Sequence, residues 1–179
     1  MAEALASRVW LGRMLYLASA AVLIFIHLLP LDARPDTWAS PDWLLALTLA
    51  WVARRPDHVP VFLIAVLFFL TDILFQRPPG LWAAMVVIVT EILRARVTGI
   101  RNMPFAVEWG TVALGVAVIT LGYRLVQLIV MTSQAPLGLT LIQMIMTIAF
   151  YPLVVGLAHF VFGLTRPAVG QVDSRGARL

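Results

Sequence analysis

The chain has 179 residues, 61% hydrophobic and 12% charged, against roughly 45–50% and 25% in a typical soluble domain. A chain this small cannot bury that much apolar surface in water, so a mean hydropathy of +0.94 points to lipid as the solvent and excludes disorder and a coiled coil. The absence of cysteine excludes a disulfide scaffold and thiolate chemistry, and although the formal charge is +4, the basic residues are scattered between apolar runs, which disfavours nucleic acid as a partner.

Spanning a hydrocarbon core takes about 20 apolar residues in a helix, and the segments that approach this length define an all-α, polytopic transmembrane bundle. The first is Leu11–Leu29, which lacks a clear cleavage site and is read as a retained anchor rather than a signal peptide. The second, Asp42–Ala53, is short. Extended back to Thr37, it places Trp38 and Trp43 at one interface while Arg54 and Arg55 snorkel at the other. Val59–Phe75, Gly80–Val97, Phe105–Val130 and Leu137–Leu164 follow. The loops between them are short and are closed by turn residues such as Pro56, Pro78-Pro79-Gly80, Pro104 and Pro136. Residues 1–166 therefore read as the helical bundle, and residues 167–179 as a polar cytoplasmic tail.

Whether the short second segment crosses decides the topology, and arginine placement tests it. Six spans with a cytoplasmic N-terminus put Arg8, Arg13, Arg54, Arg55, Arg94, Arg96, Arg101, Arg166, Arg175 and Arg178 inside, leaving Arg34, Arg77 and Arg124 outside. Five spans set Arg8, Arg13, Arg77 and Arg124 against the other nine, a weaker partition. The expectation is six spans, the second short, with both termini cytoplasmic. Interfacial aromatics fit it, with Trp10, Trp51 and Trp109 near the inner face and Trp38, Trp43, Trp82 and Tyr123 near the outer one. The basic inner rim also suits anionic headgroups.

An ionisable residue within a span costs at least about 2.5–3.5 kcal/mol unless it is paired or reaches water. Asp72 is the deepest acid of the outer half, about 12 Å before Gly80 along a helix. Gln76 lies one turn further on the same face, within reach of a hydrogen bond. Pairing of Asp72 with Gln76, Arg77 or a backbone N–H weighs evenly against a role in assembly. Glu91 and Arg94, three apart, suit a local ion pair. Glu108 follows Pro104 and suits the helix N-terminal dipole, and Arg124 beside Tyr123 suits snorkelling. His27 and His159 fall at different depths and His58 in a loop, so single satisfied histidines are favoured over a metal site. Gly115 and Gly122, then Gly156 and Gly163, repeat at heptad spacing and favour close helix packing, within the chain before packing against another protein. No His-Glu-x-x-His, Gly-x-Ser-x-Gly, P-loop or Gly-x-Gly-x-x-Gly pattern occurs. Neither an enzyme nor a cofactor is expected.

The run Pro41-Asp42-Trp43-Leu44-Leu45 to Trp51-Val52-Ala53-Arg54-Arg55-Pro56-Asp57, joined to Phe69-Leu70-Thr71-Asp72-Ile73-Leu74 and Pro79-Gly80-Leu81-Trp82-Ala83-Ala84, resembles the rod shape-determining MreD family in its alphaproteobacterial form. The likeness covers the chain in length and span order, with its best local match from Pro41 to Arg96. Phe69-Leu70 departs from the Gly-Leu usual before the third-span acid, and Tyr151-Pro152 looks like the family's helix-interrupting proline. The resemblance implies a fold similar to the substrate-binding components of energy-coupling-factor transporters. It also implies a non-enzymatic inner-membrane scaffold of cell elongation, associated with an MreC-like protein and, through it, with the MreB cytoskeleton, RodA and a class B penicillin-binding protein. The partner surface expected on this reading is the outer turn with Asp72, Gln76, Arg77, Pro79 and Gly80. The alternative is a small-molecule carrier holding its ligand near Asp72, Glu91 and Gln143.

Overall fold

The computed structural model describes residues 2–29, 39–100, 104–132 and 134–163, with the side chains of 2–6, 8 and 98–100 not described. These residues form helices α1 (Ala2–Leu28), α2 (Trp43–Arg54), α3 (Val61–Leu74), α4 (Leu81–Ile100), α5 (Phe105–Ile129) and α6 (Leu137–Phe162), with a 3-10 turn at Pro56–His58 between α2 and α3. There is no strand among them. Val9–Leu28 within α1, all of α5 and all of α6 are long and apolar enough to cross a membrane, whereas α2 and α3 are shorter apolar helices. The expectations for Arg34, Trp38, Arg101, Arg166 and the 167–179 tail lie outside the described residues.

Proline opens three helices: Pro60, Pro104 and Pro136 stand at the N-caps of α3, α5 and α6, where the missing N–H costs nothing and φ is preset. Asp42 opens α2, its Oδ1 accepting from the Leu45 N–H at 2.9 Å. The preceding residues 39–42 are not helical, so α2 does not extend back to Thr37 as expected. The aspartate takes up a free N–H at Leu45 and fixes the helix start there. At the other ends, α3 and α5 close with Schellman bonds. Arg77 N–H reaches Asp72 O and Gln76 N–H reaches Ile73 O, while Thr132 N–H reaches Gln127 O and Met131 N–H reaches Leu128 O. Gln76 and Met131 adopt left-handed φ of 54° and 55° to do so.

The short helix α2 is the centre of the bundle. Leu44 to Ala53 are all buried, as befits a helix apolar on every side, and α2 packs against α1, α4 and α6. Further contacts run α3 to α4, α4 to α5 and α5 to α6, and the 3-10 turn lies against α1 and α2. Trp51 accordingly faces inward: it is 1% exposed and packs edge-on against Tyr16, with Phe162 and His58 nearby. Trp82 is likewise buried, against Tyr123 and under the Arg77 guanidinium. Both rings face into the bundle, because depth along a helix says nothing about which side a ring faces.

Of the glycines, Gly115 and Gly122 do line a close seam. A Cβ at Gly115 would stand 3.0 Å from Val89 Cγ1, and one at Gly122 would stand 3.4 Å from Met85 Sδ, so α5 rides tightly on α4. The second pair does not behave this way. Gly156 has nothing within 4 Å, and Gly163 ends α6 in a left-handed cap at φ 60°. Gly12 was not singled out by spacing, yet a Cβ there would clash with the His58 ring, so this glycine lets the α2–α3 turn lie against α1.

Candidate functional site

The helix contacts place the α3–α4 turn, the α2 N-terminus and the α5–α6 loop at one end, here called the turn end. The α2–α3 turn and the α5 N-terminus lie at the other, the arginine end. Each end holds a buried acid.

At the turn end, Asp72 is fully buried. Its Oδ2 accepts from the Gly80 N–H at 2.9 Å and the Ala83 N–H at 3.2 Å. The carboxylate of α3 thereby supplies acceptors to the free N–H groups that open α4. Gly80 has φ 85°, a conformation open to glycine, and its N–H points back to the acid. Gln76 does not bond to Asp72 as its spacing suggested, because it has left the helix as the left-handed closing residue. Arg77 instead lies over the Phe75 and Trp82 rings, 5.5 and 5.0 Å from their centroids. Asp72 thus shapes the turn, and only its neighbours present themselves outward.

Beside this turn is a cavity of about 370 Å³ whose walls include His27, Asp42, Trp43, Phe75, Arg77 and Gln143. It combines apolar walls with groups of both charges. Gln143 faces it, whereas Asp72 is closed upon α4 and Glu91 lies three turns along α4, so the three side chains expected around a carried ligand do not meet. Arg124 seals the adjoining α5–α6 loop, its Nη1 donating to Ala135 O at 2.9 Å and Thr140 Oγ1 at 2.7 Å. It therefore bonds within the chain rather than merely snorkelling.

At the arginine end, Glu108 stands in the first turn of α5 as expected, but it is 2% exposed and does more than face the helix dipole. Its Oε1 accepts from Arg54 Nε of α2 at 3.2 Å and from the Tyr151 hydroxyl of α6 at 3.0 Å, so one carboxylate joins three helices. The joint continues one residue on. Pro152 sits inside α6 and cannot donate to the Ile148 carbonyl. Trp109 of α5 donates its indole N–H to that carbonyl at 2.8 Å, and α6 runs on unbroken instead of being interrupted. Sequence reading missed the joint. A signal was present in Pro152, which leaves the carbonyl four residues earlier in want of a donor.

Glu91 and Arg94 form the expected ion pair at 2.9 Å. Arg94 also donates to the Pro56 carbonyl at 3.0 Å and the Val59 carbonyl at 2.6 Å, clamping the α2–α3 turn to α4. His58 in that turn is half-buried; burial, and then the charges of Arg55 and Arg13, hold its pKa below the ordinary histidine value. Among the described residues no group of three His, Asp or Glu side chains is placed to hold a metal ion. Buried threonines are also satisfied within the bundle: Thr48 bonds Leu44 O and Tyr16, and Thr147 bonds Gln143 O and the Asp42 N–H.

Comparison of the chain with family models, with characterised proteins and with solved structures returns no match.

Proposed function

We propose that the protein is an inner-membrane scaffold of the cell-elongation machinery, of the MreD type, with six spans and both termini in the cytoplasm. On this reading the arginine end is the cytoplasmic rim and the turn end faces out. The observation that carries the scaffold reading is the use made of the polar groups. Asp72, Glu91, Arg94, Glu108 and Arg124 are each bonded to another part of the same chain, which leaves them holding helices and turns in place. What remains for recognition is the outward surface. The apolar faces around Phe62, Leu114, Leu128 and Phe160 are exposed and suit lipid or partner helices, and the rims are basic or turn-built. The motif resemblance from Pro41 to Arg96 assigns the partners: an MreC-like protein directly, and MreB, RodA and a class B penicillin-binding protein through the complex.

Depletion in the native cell tests the proposal, with rods rounding into spheres and an MreC-like protein recovered with the tagged chain as the expected outcome. Normal shape with a nutrient requirement overturns it. That second result belongs to a transporter substrate-binding component, the reading that the cavity at His27, Asp42, Arg77 and Gln143 favours.

A further inference from the structure

A second recess shares no lining residue with the turn-end cavity and is separate from every polar joint described above. It is a groove of about 130 Å³ between α4 and α5, floored by Leu49 of α2 and walled by residues that include Ile92, Val112 and Val118, with Arg96 and Thr111 at one end. Gly115 is among its lining residues, where the missing side chain lets α5 approach Val89 of α4. The walls are apolar, and the Thr111 hydroxyl donates to the Val107 carbonyl of its own helix at 2.8 Å. Arg96 differs from Arg54 and Arg94 of the same end. Arg54 is paired with Glu108 and Arg94 with Glu91, but Arg96 is exposed and has neither an ion pair nor a hydrogen bond with any described residue.

We propose that this groove binds one anionic phospholipid, an acyl chain lying along Leu49, Val112 and Val118 and the phosphate meeting Arg96. The charge complementarity selects the occupant: an uncompensated guanidinium at the end of an apolar trough matches an anion joined to a hydrocarbon chain, and arginine pairs with phosphate in a forked geometry. A partner's apolar helix would fill the trough but leave the guanidinium unanswered. The depth also fits. α5 is long and apolar enough to span, and Thr111 is less than two turns inside its start at Phe105, so Arg96 stands near headgroup level while Val118 stands deeper. This inference needs only that α5 crosses the membrane and holds whether or not the protein serves cell elongation.

The test uses the full chain in nanodiscs of equal phosphatidylglycerol and phosphatidylethanolamine, with retained lipids counted by native mass spectrometry. The wild type is expected to keep one phosphatidylglycerol in preference to phosphatidylethanolamine. Arg96→Gln should cut that retention about fivefold, the worth of one arginine near an anionic surface. Val118→Trp, at an exposed wall position, should cut it similarly by filling the trough while leaving the charge in place. Arg13→Gln removes a charge from the same end but outside the groove and should change nothing. Equal loss in Arg13→Gln reduces the effect to general surface charge and overturns the site, as does retention unchanged in Arg96→Gln or equal retention of the two lipids. A co-purifying protein crosslinked to position 118 in place of lipid overturns it too.

Discussion

Asp72 and Glu108 are both buried acids in an apolar bundle, and they are held in opposite ways. Asp72 bonds to backbone N–H groups eight and eleven residues ahead, across a single turn. Glu108 bonds to side chains 54 residues behind it and 43 ahead, on two other helices. The first is a local device that shapes a hairpin and depends on the backbone being where the turn puts it. The second is a long-range tie that depends on α2, α5 and α6 already being assembled. A bundle of this kind can therefore lose one end's geometry without losing the other's.

The largest effect is expected at the long-range tie. Glu108→Ala leaves Arg54, largely covered with its side chain 12% exposed, without this partner. It should cost about 3–5 kcal/mol, seen as a large fall in the thermal midpoint in detergent. Glu108→Gln, which retains an acceptor for Tyr151, should cost less. Asp72→Ala exposes two orphaned N–H groups at about 1–3 kcal/mol each, but the damage should stay local: faster hydrogen exchange at Gly80 to Ala84 and weaker recovery of an MreC-like partner, with insertion normal. If exchange instead quickens across α5 and α6, the distinction between local and long-range ties is wrong.

Smaller effects sharpen the same contrast. Trp109→Phe removes the donor to the Ile148 carbonyl and should cost about 0.6 kcal/mol, the usual worth of a hydrogen bond between membrane helices, without altering the turn end. Acidification should act on the arginine end through His58. Its folded pKa lies below the ordinary value, so its contribution is full above about pH 6.5 and is lost as the pH falls towards the folded pKa, the unfolded chain taking the proton first. Melting at pH values on either side of this range should show a slope that His58→Gln flattens.

The long apolar helices, the Glu91–Arg94 pair and the Gly115–Gly122 seam were legible because each follows from spacing along one helix or between consecutive ones. Asp72's partners were half legible: a backbone N–H was among the options, but only the left-handed exit at Gln76 decides against the side chain one turn away. The Glu108 joint was not legible, since nothing in local sequence says that residues 54, 108 and 151 converge. The central place of α2 was hidden for a similar reason. Its length, about 18 Å at 1.5 Å per residue, raised the question of whether it crosses, while its all-round burial comes from neighbours that spacing does not reveal.

That short helix is also where the membrane reading is most exposed, because six spans and a cytoplasmic arginine end require α2 to carry the chain from one side to the other. The cysteine-free chain allows single cysteines to report this directly. With a membrane-impermeant maleimide added to intact cells whose outer membrane has been permeabilised, Ser40→Cys and Gln134→Cys should label. Asp57→Cys should label only after the inner membrane is opened. Labelling of Ser40→Cys and Asp57→Cys from the same side would mean that α2 does not cross and would contradict the six-span account.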